Sequence, residues 1–189
     1  MTKKEARKEF LQKRLALTEG EKFALNQQLY NHFFAHFDLS FIKIFHLFLS
    51  IENKNEPDTW SLLDRIRREF PRVRVVLSRM NAEGTLSHLF FEGLHQLKIN
   101  NWGIAEPQQG VPAEEKTIDA VLVPLLACDR SGNRVGYGKG FYDQFLKNCR
   151  PDCLKVGYSF FEPIALIEDT DPWDVPLDRC ITPSGIVSF

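Results

Sequence analysis

The segment Phe41-Ile42-Lys43-Ile44-Phe45-His46-Leu47-Phe48-Leu49 is apolar except at Lys43 and His46. A strand with one wet face alternates apolar and polar residues. This segment does not alternate, so as a strand it must be covered on both sides. Helices on both faces of a mostly parallel sheet supply such cover. The neighbouring segments agree. Ala6, Phe10, Leu11 and Leu15 recur at helical spacing within 3–16. Thr18 followed by Glu21 is a capping-box pattern for a helix over 19–36, with Phe23, Leu25, Leu29, Tyr30 and Phe33 inside it. Asp58 or Thr59 can cap a helix running to about Phe70, which Pro71 stops.

Arg72-Val73-Arg74-Val75-Val76-Leu77 reads as a second strand of the parallel type. A third covers 118–123, with Ala120-Val121-Leu122-Val123 ended by Pro124. A helix opens at Phe141, and Leu154 to Ser159 is another strand. The expectation is one α/β domain over 1–189, three layers α/β/α, with a mostly parallel central sheet. Elsewhere the pattern is weaker. Residues 84–99 suggest an antiparallel hairpin, 103–117 a loop, and 168–189 mostly loop with a short strand near Cys180-Ile181-Thr182.

A chain of 189 residues can bury a sizeable core. Its formal net charge of −1 gives no bulk attraction to nucleic acid or to an anionic membrane. No apolar run approaches the roughly 20 residues that span a bilayer. The charged start, Met1 to Lys8, has no apolar stretch behind it and does not read as a secretory signal. The cysteines Cys128, Cys149, Cys153 and Cys180 form no C-x-x-C pair, so a reduced, cytoplasmic setting is expected. His32 and His36 share a helix face, but Phe33 stands where a zinc-protease helix has glutamate.

One loop carries a chemical signal: Gly132-Asn133-Arg134-Val135-Gly136-Tyr137-Gly138-Lys139-Gly140-Phe141-Tyr142-Asp143. Glycine lets backbone approach a ligand, and a helix opening behind the loop points free N–H groups and its positive end the same way. Arg134 and Lys139 add donors suited to phosphate. The spacing G-x-G-x-G is neither the dinucleotide fingerprint nor the P-loop, and a simple glycine-rich turn is the competing reading. Such a loop lies beyond the carboxyl end of a strand, where layered α/β folds bind ligands. Lys3 and Arg7 share a helix face, although a solvated amphipathic helix would look the same. Asp143 and Asp174 are candidate Mg²⁺ ligands, since that ion takes one or two carboxylates plus phosphate oxygens. Asp143 is equally explained by the helix dipole, and the Asp174 segment by a proline-stiffened surface turn.

Together these residues resemble the 5-formyltetrahydrofolate cyclo-ligase family. The core of the likeness is Val123-Pro124, Asp129 and Arg134-Val135-Gly136-Tyr137-Gly138-Lys139-Gly140-Phe141-Tyr142-Asp143. Lys3 with Arg7, Glu56-Pro57-Asp58-Thr59, Gly103-Ile104-Ala105-Glu106-Pro107 and Asp174-Val175-Pro176-Leu177-Asp178 fall in the family's order. The resemblance implies conversion of 5-formyltetrahydrofolate to 5,10-methenyltetrahydrofolate with ATP and Mg²⁺. The formyl oxygen is phosphorylated, N10 attacks the activated carbon, and phosphate leaves.

By the same resemblance Lys3, Lys4, Arg7 and residues Arg134 through Tyr142 bind ATP, with Arg134 and Lys139 catalytic. Leu49, Glu56 and Tyr137 through Phe141 bind the folate, Glu56 meeting the pteridine's amino-imino edge. Asp143 and Asp174 hold Mg²⁺. No nucleic-acid or membrane partner is expected, and the chain is expected as a monomer or weak dimer. Leu125, Cys128, Trp173 and Ser78 depart from the family pattern, and the segment from Leu49 to Glu56 is longer than in some members. Two alternatives are an enzyme of the same fold using ATP on another small molecule, and a non-catalytic folate or nucleotide binder. Retention of Lys139, Arg134, Asp143 and Asp174 speaks against the second.

Overall fold

The computed structural model describes residues 1–189. Helices α1 (Lys3–Leu15) and α2 (Glu19–His36) open the chain. Each starts on a capping box: Thr18 with Glu21 as expected, and Thr2 with Glu5 in the same arrangement. The first half continues with β1 (Ile44–His46), α3 (Trp60–Glu69), β2 (Arg74–Met80), β3 (Leu86–Phe90), β4 (Leu97–Ile99) and β5 (Ala105–Pro107). The second half holds β6 (Ala120–Pro124), β7 (Ala127–Cys128), β8 (Arg134–Val135), α4 (Phe141–Asn148), β9 (Leu154–Tyr158), β10 (Arg179–Thr182) and β11 (Gly185–Ser188).

Seven strands form one sheet in the order β11-β10-β9-β6-β1-β2-β3. The inner run from β10 to β2 is parallel, and β11 and β3 close the edges antiparallel. On one face Leu29 and Phe33 of α2 and Leu62 and Ile66 of α3 pack with Phe45, Leu122 and Val156. On the other, Phe145 and Leu146 of α4 pack with Val76, Val121 and Val123. Val121 and Leu122 are sequence neighbours, face opposite layers and are both fully buried. That is why β6 is apolar throughout. The expected three-layer α/β/α arrangement is present. Helix α1 stands outside these layers, with Ala6 and Phe10 packed on Ala127, Val135 and Ile167 beside the β7–β8 hairpin.

Several expected boundaries shift. The strand expected over 41–49 pairs only at Ile44–His46, and Phe41 is 83% exposed. Leu47 to Leu49 stay buried as they leave the sheet. Of the two possible caps of α3, Asp58 does the bonding. Its Oδ1 accepts from the Trp60 amide at 2.9 Å, while Thr59 turns inward to Ser50. Strand β2 runs on through Ser78 to Met80. The hairpin expected within 84–99 does not form. β3 instead pairs with β2 across the Asn81–Thr85 turn, and β4 pairs with β5 inside the segment read as loop. Strands of three or four residues are too short to leave a periodic signal. Edge strand β11 was missed for the same reason.

Candidate active site

A cleft of about 880 Å³ opens beyond the carboxyl ends of β1, β2 and β6. Its lining includes Lys3, Arg7, Leu49, Glu56, Arg134, every residue from Val135 to Asp143, and Asp174. Residues spread across the whole sequence therefore converge on one cavity. Among the candidate residues Lys4 is the exception: it is exposed and lies outside the lining.

The glycine loop is anchored from beneath. Asp129 is fully buried. Its carboxylate accepts from the amides of Ser131, Asn133 and Ile167 and from Asn133 Nδ2, all at 2.9–3.0 Å. Those bonds fix the β7–β8 turn from which the loop departs. Gly138 sits at φ +84°, and a Cβ there would meet the Arg7 guanidinium carbon at 3.1 Å. Gly140 at φ +71° is the N-cap of α4. Both positions demand glycine, one for conformation and close approach, the other for conformation.

Around the loop the charges are arranged with care for burial. Arg134 Nη2 donates to Asp143 Oδ1 at 2.7 Å, and Nη1 donates to the Val175 carbonyl. The Val175 amide bonds the same Asp143 oxygen at 3.1 Å. Arg134 thus ties the loop to α4 and to the late segment, so it is not a free cation. Lys3 Nζ bridges Asp171 and Asp174 at 2.8 and 2.6 Å. Burial opposes the Lys3 charge, but both carboxylates outweigh it and raise its pKa. Asp174 is correspondingly held below the usual carboxylate range, Lys3 overcoming the effect of burial. Arg7 Nε donates to the Gly136 carbonyl at 3.0 Å. Lys139 is exposed and has no ion pair or hydrogen bond.

Another part of the cleft is apolar, with Phe48, Leu49, Leu77, Met80, Trp102 and Ile104 on its walls. Glu56 is set among them, 6% exposed. Its Oε2 accepts from the Ile51 amide at 2.8 Å and its Oε1 from the Tyr137 hydroxyl at 2.7 Å. Burial raises the Glu56 pKa, opposed first by Arg14 and then by these bonds. Tyr137 therefore faces the acidic, apolar part of the cleft while Gly138 faces Arg7. The loop stands between the two parts.

Reading the sequence missed Arg14. It is 2% exposed on α1 and donates to the Tyr137 hydroxyl. The signal was available: Ala6, Phe10 and Arg14 recur every four residues, so an arginine occupies a core-facing position.

The sequence profile described as the 5-formyltetrahydrofolate cyclo-ligase family matches residues 1–183. The chain belongs to this family. A 5-formyltetrahydrofolate cyclo-ligase of Escherichia coli K12 is 29% identical over 178 residues, covering 93% of this chain and 97% of that protein. The Mycoplasma pneumoniae cyclo-ligase is 31% identical over 195 residues, covering 96% and 98%. The solved structure of Aquifex aeolicus 5,10-methenyltetrahydrofolate synthetase superposes with a TM-score of 0.84 at 28% identity, covering all of this chain and 93% of that one.

The cyclo-ligase fold also locates the departures from the family pattern. Leu125 and Cys128 are core residues, and Trp173 is 71% exposed with Lys147 4.9 Å above its ring. None of the three lines the cleft. Ser78 does, and its hydroxyl is held between His46 Nε2 at 2.7 Å and His88 Nδ1 at 3.1 Å. In the longer segment after β1, Ile51, Asn53 and Lys54 contribute to the lining.

Proposed function

We propose that this chain converts 5-formyltetrahydrofolate to 5,10-methenyltetrahydrofolate with ATP, releasing ADP and phosphate. The observation that carries this is the convergence of the family's charged residues and Glu56 on one cleft, within a chain the family profile matches over residues 1–183.

The formyl oxygen attacks the γ-phosphorus of ATP and the bond to the ADP oxygen breaks. Negative charge on the transferring group lies on its equatorial oxygens. We assign Lys139, which lines the cleft, to meet it, together with Arg7, Lys3 and the amides of Gly138 and Gly140. Arg134 serves this step by fixing Asp143 and the loop. N10 then attacks the activated formyl carbon, loses its proton, and the carbon–oxygen bond breaks to release phosphate.

Glu56 accepts the amino-imino donors of the pteridine, a match for an acceptor-only carboxylate. Leu49 and Phe141 pack on the folate. The protein has no cluster of three potential metal ligands. Asp143 and Asp174 both line the cleft, and they would hold a Mg²⁺ ion that takes its remaining ligands from phosphate and water, as this ion commonly does. When bound, it neutralises charge on the phosphate oxygens. We also read residues 1–189 as a single cyclo-ligase domain acting as a monomer or weak dimer. A cytoplasmic setting is supported by four free thiols.

The test is spectroscopic. Purified protein with Mg²⁺, ATP and 5-formyltetrahydrofolate should raise the near-UV absorbance of the methenyl product, and omitting ATP or adding EDTA should abolish the rise. A folded sample that gives no rise with all components contradicts the assignment.

A further inference from the structure

Arg14 is a fully buried arginine whose neighbours are mostly backbone. Nε donates to the Lys54 carbonyl at 2.9 Å, Nη1 to the Leu125 carbonyl at 3.3 Å, and Nη2 to the Tyr137 hydroxyl. Asn55 Nδ2 returns a bond to the Arg14 carbonyl at 3.2 Å. No carboxylate touches the guanidinium. A buried charge without a direct counter-ion is costly, and such charges are paired or neutralised. Here the counter-charge lies one hydroxyl away. Tyr137 accepts from Arg14 and donates to Glu56 Oε1 at 2.7 Å. A hydroxyl that accepts from a cation is polarised and donates more strongly.

We propose that Arg14 is a positioning residue for the folate part of the cleft, holding Glu56 through the Tyr137 hydroxyl, a role that rests on Glu56 receiving the pteridine. The chain of bonds does two things. It turns Glu56 and Tyr137 to fixed orientations on the cleft wall. It also opposes the rise that burial imposes on the Glu56 pKa and so favours the carboxylate, the form that can accept from both donors of the pteridine edge. The charged or titratable groups around Glu56 are Arg14 from α1, Lys54 from the segment after β1, Tyr137 from the glycine loop and Tyr142 from α4. Lys54 is exposed and Tyr142 is partly buried, with its pKa raised by burial, so Arg14 is the dominant buried positive charge.

The measurement is calorimetric binding of 5-formyltetrahydrofolate without ATP, from pH 5 to pH 8. In the natural protein affinity falls toward low pH as Glu56 takes up a proton. An opposite charge nearby lowers a carboxylate pKa by about 1–3. Arg14→Met should therefore start that fall about one pH unit higher and weaken binding by up to about tenfold at the acid end, where the natural protein is itself losing affinity. Arg14→Lys should lie between, and affinity for a non-hydrolysable ATP analogue should change less than about twofold. A purely structural role would lower both affinities together and leave the pH of the fall in place. That result overturns the proposal. Tyr137→Phe breaks the link while sparing the bonds from Arg14 to Lys54 and Leu125. It should displace the fall upward in the same way, even if Arg14→Met does not fold, and an undisplaced fall in this variant also overturns the proposal. A natural protein that does not bind 5-formyltetrahydrofolate at all removes the reading of Glu56 itself, and the role of Arg14 with it.

Discussion

Lys139 differs from the other cations of the cleft. Lys3 holds two aspartates, Arg134 holds Asp143, and Arg7 holds a loop carbonyl, whereas Lys139 has no partner in the protein. An unpaired exposed lysine adds little to stability. Lys139→Ala should therefore leave the urea midpoint within experimental error while lowering turnover by at least about tenfold, the effect of losing one charge from the transferring phosphoryl group. Turnover near normal would remove Lys139 from the step. Gly138 gives the opposite kind of prediction. Alanine there must hold φ +84° and meet Arg7 at 3.1 Å. Denaturant titration should show a loss of about 1–2 kcal/mol, with a higher KM for ATP as Arg7 is pushed aside. Unchanged stability and KM together would mean that the loop does not need its observed shape. The roles of such residues were readable by type but not by contact. Lys139 and Gly138 were singled out from spacing alone. That Arg134 is committed to Asp143 and Val175 depends on Val175, 41 residues away in sequence, and no local pattern shows it.

Between the elements, the least obvious join is polar. His46 of β1, Ser78 of β2 and His88 of β3 form a hydrogen-bonded row across the sheet, and His88 Nε2 lies 3.2 Å from Glu115. Both imidazoles are buried against Phe145. Burial lowers the His88 pKa to about 4 and holds His46 well below its ordinary value, with His88 adding to the effect. Glu115 is itself raised by burial, so the His88–Glu115 contact is read as neutral imidazole near a carboxylate, not as an ion pair. The sign follows. Above pH 6.5 folded and unfolded chains both hold neutral histidines, and pH has no effect through them. Below it the unfolded chain binds protons that the folded chain refuses, so stability falls as pH drops toward 4. Urea unfolding at pH 5 should give a free energy lower than at pH 7.5 by about 2 kcal/mol from His88 alone. A level midpoint between those pH values would contradict the buried, neutral assignment. Long periodic elements were legible, because α2 announces itself with Thr18 and Glu21 and β6 with its double-sided apolar run. Short ones were not. The antiparallel additions β3, β4, β5 and β11 are set by pairing partners, and a strand of three to five residues without a double-sided apolar run has too little pattern to show which edge it joins.

On the scale of the whole molecule, the fold matters because it gathers distant chain segments at the carboxyl ends of a parallel sheet. Helix α1 brings Lys3 and Arg7, the segment after β1 brings Glu56, the loop before α4 brings Lys139, and the late segment brings Asp174. The glycine loop lies between a part rich in charge and a part that is apolar around one carboxylate. The central claim is that a phosphoryl group crosses this loop from ATP to the formyl oxygen. The most direct measurement uses 5-formyltetrahydrofolate carrying ¹⁸O in its formyl group. After turnover, mass spectrometry of the released inorganic phosphate should find the ¹⁸O there, one labelled oxygen for each methenyl product formed. Unlabelled phosphate accompanying methenyl product would contradict the account, since the formyl oxygen would then have left without ever joining phosphorus.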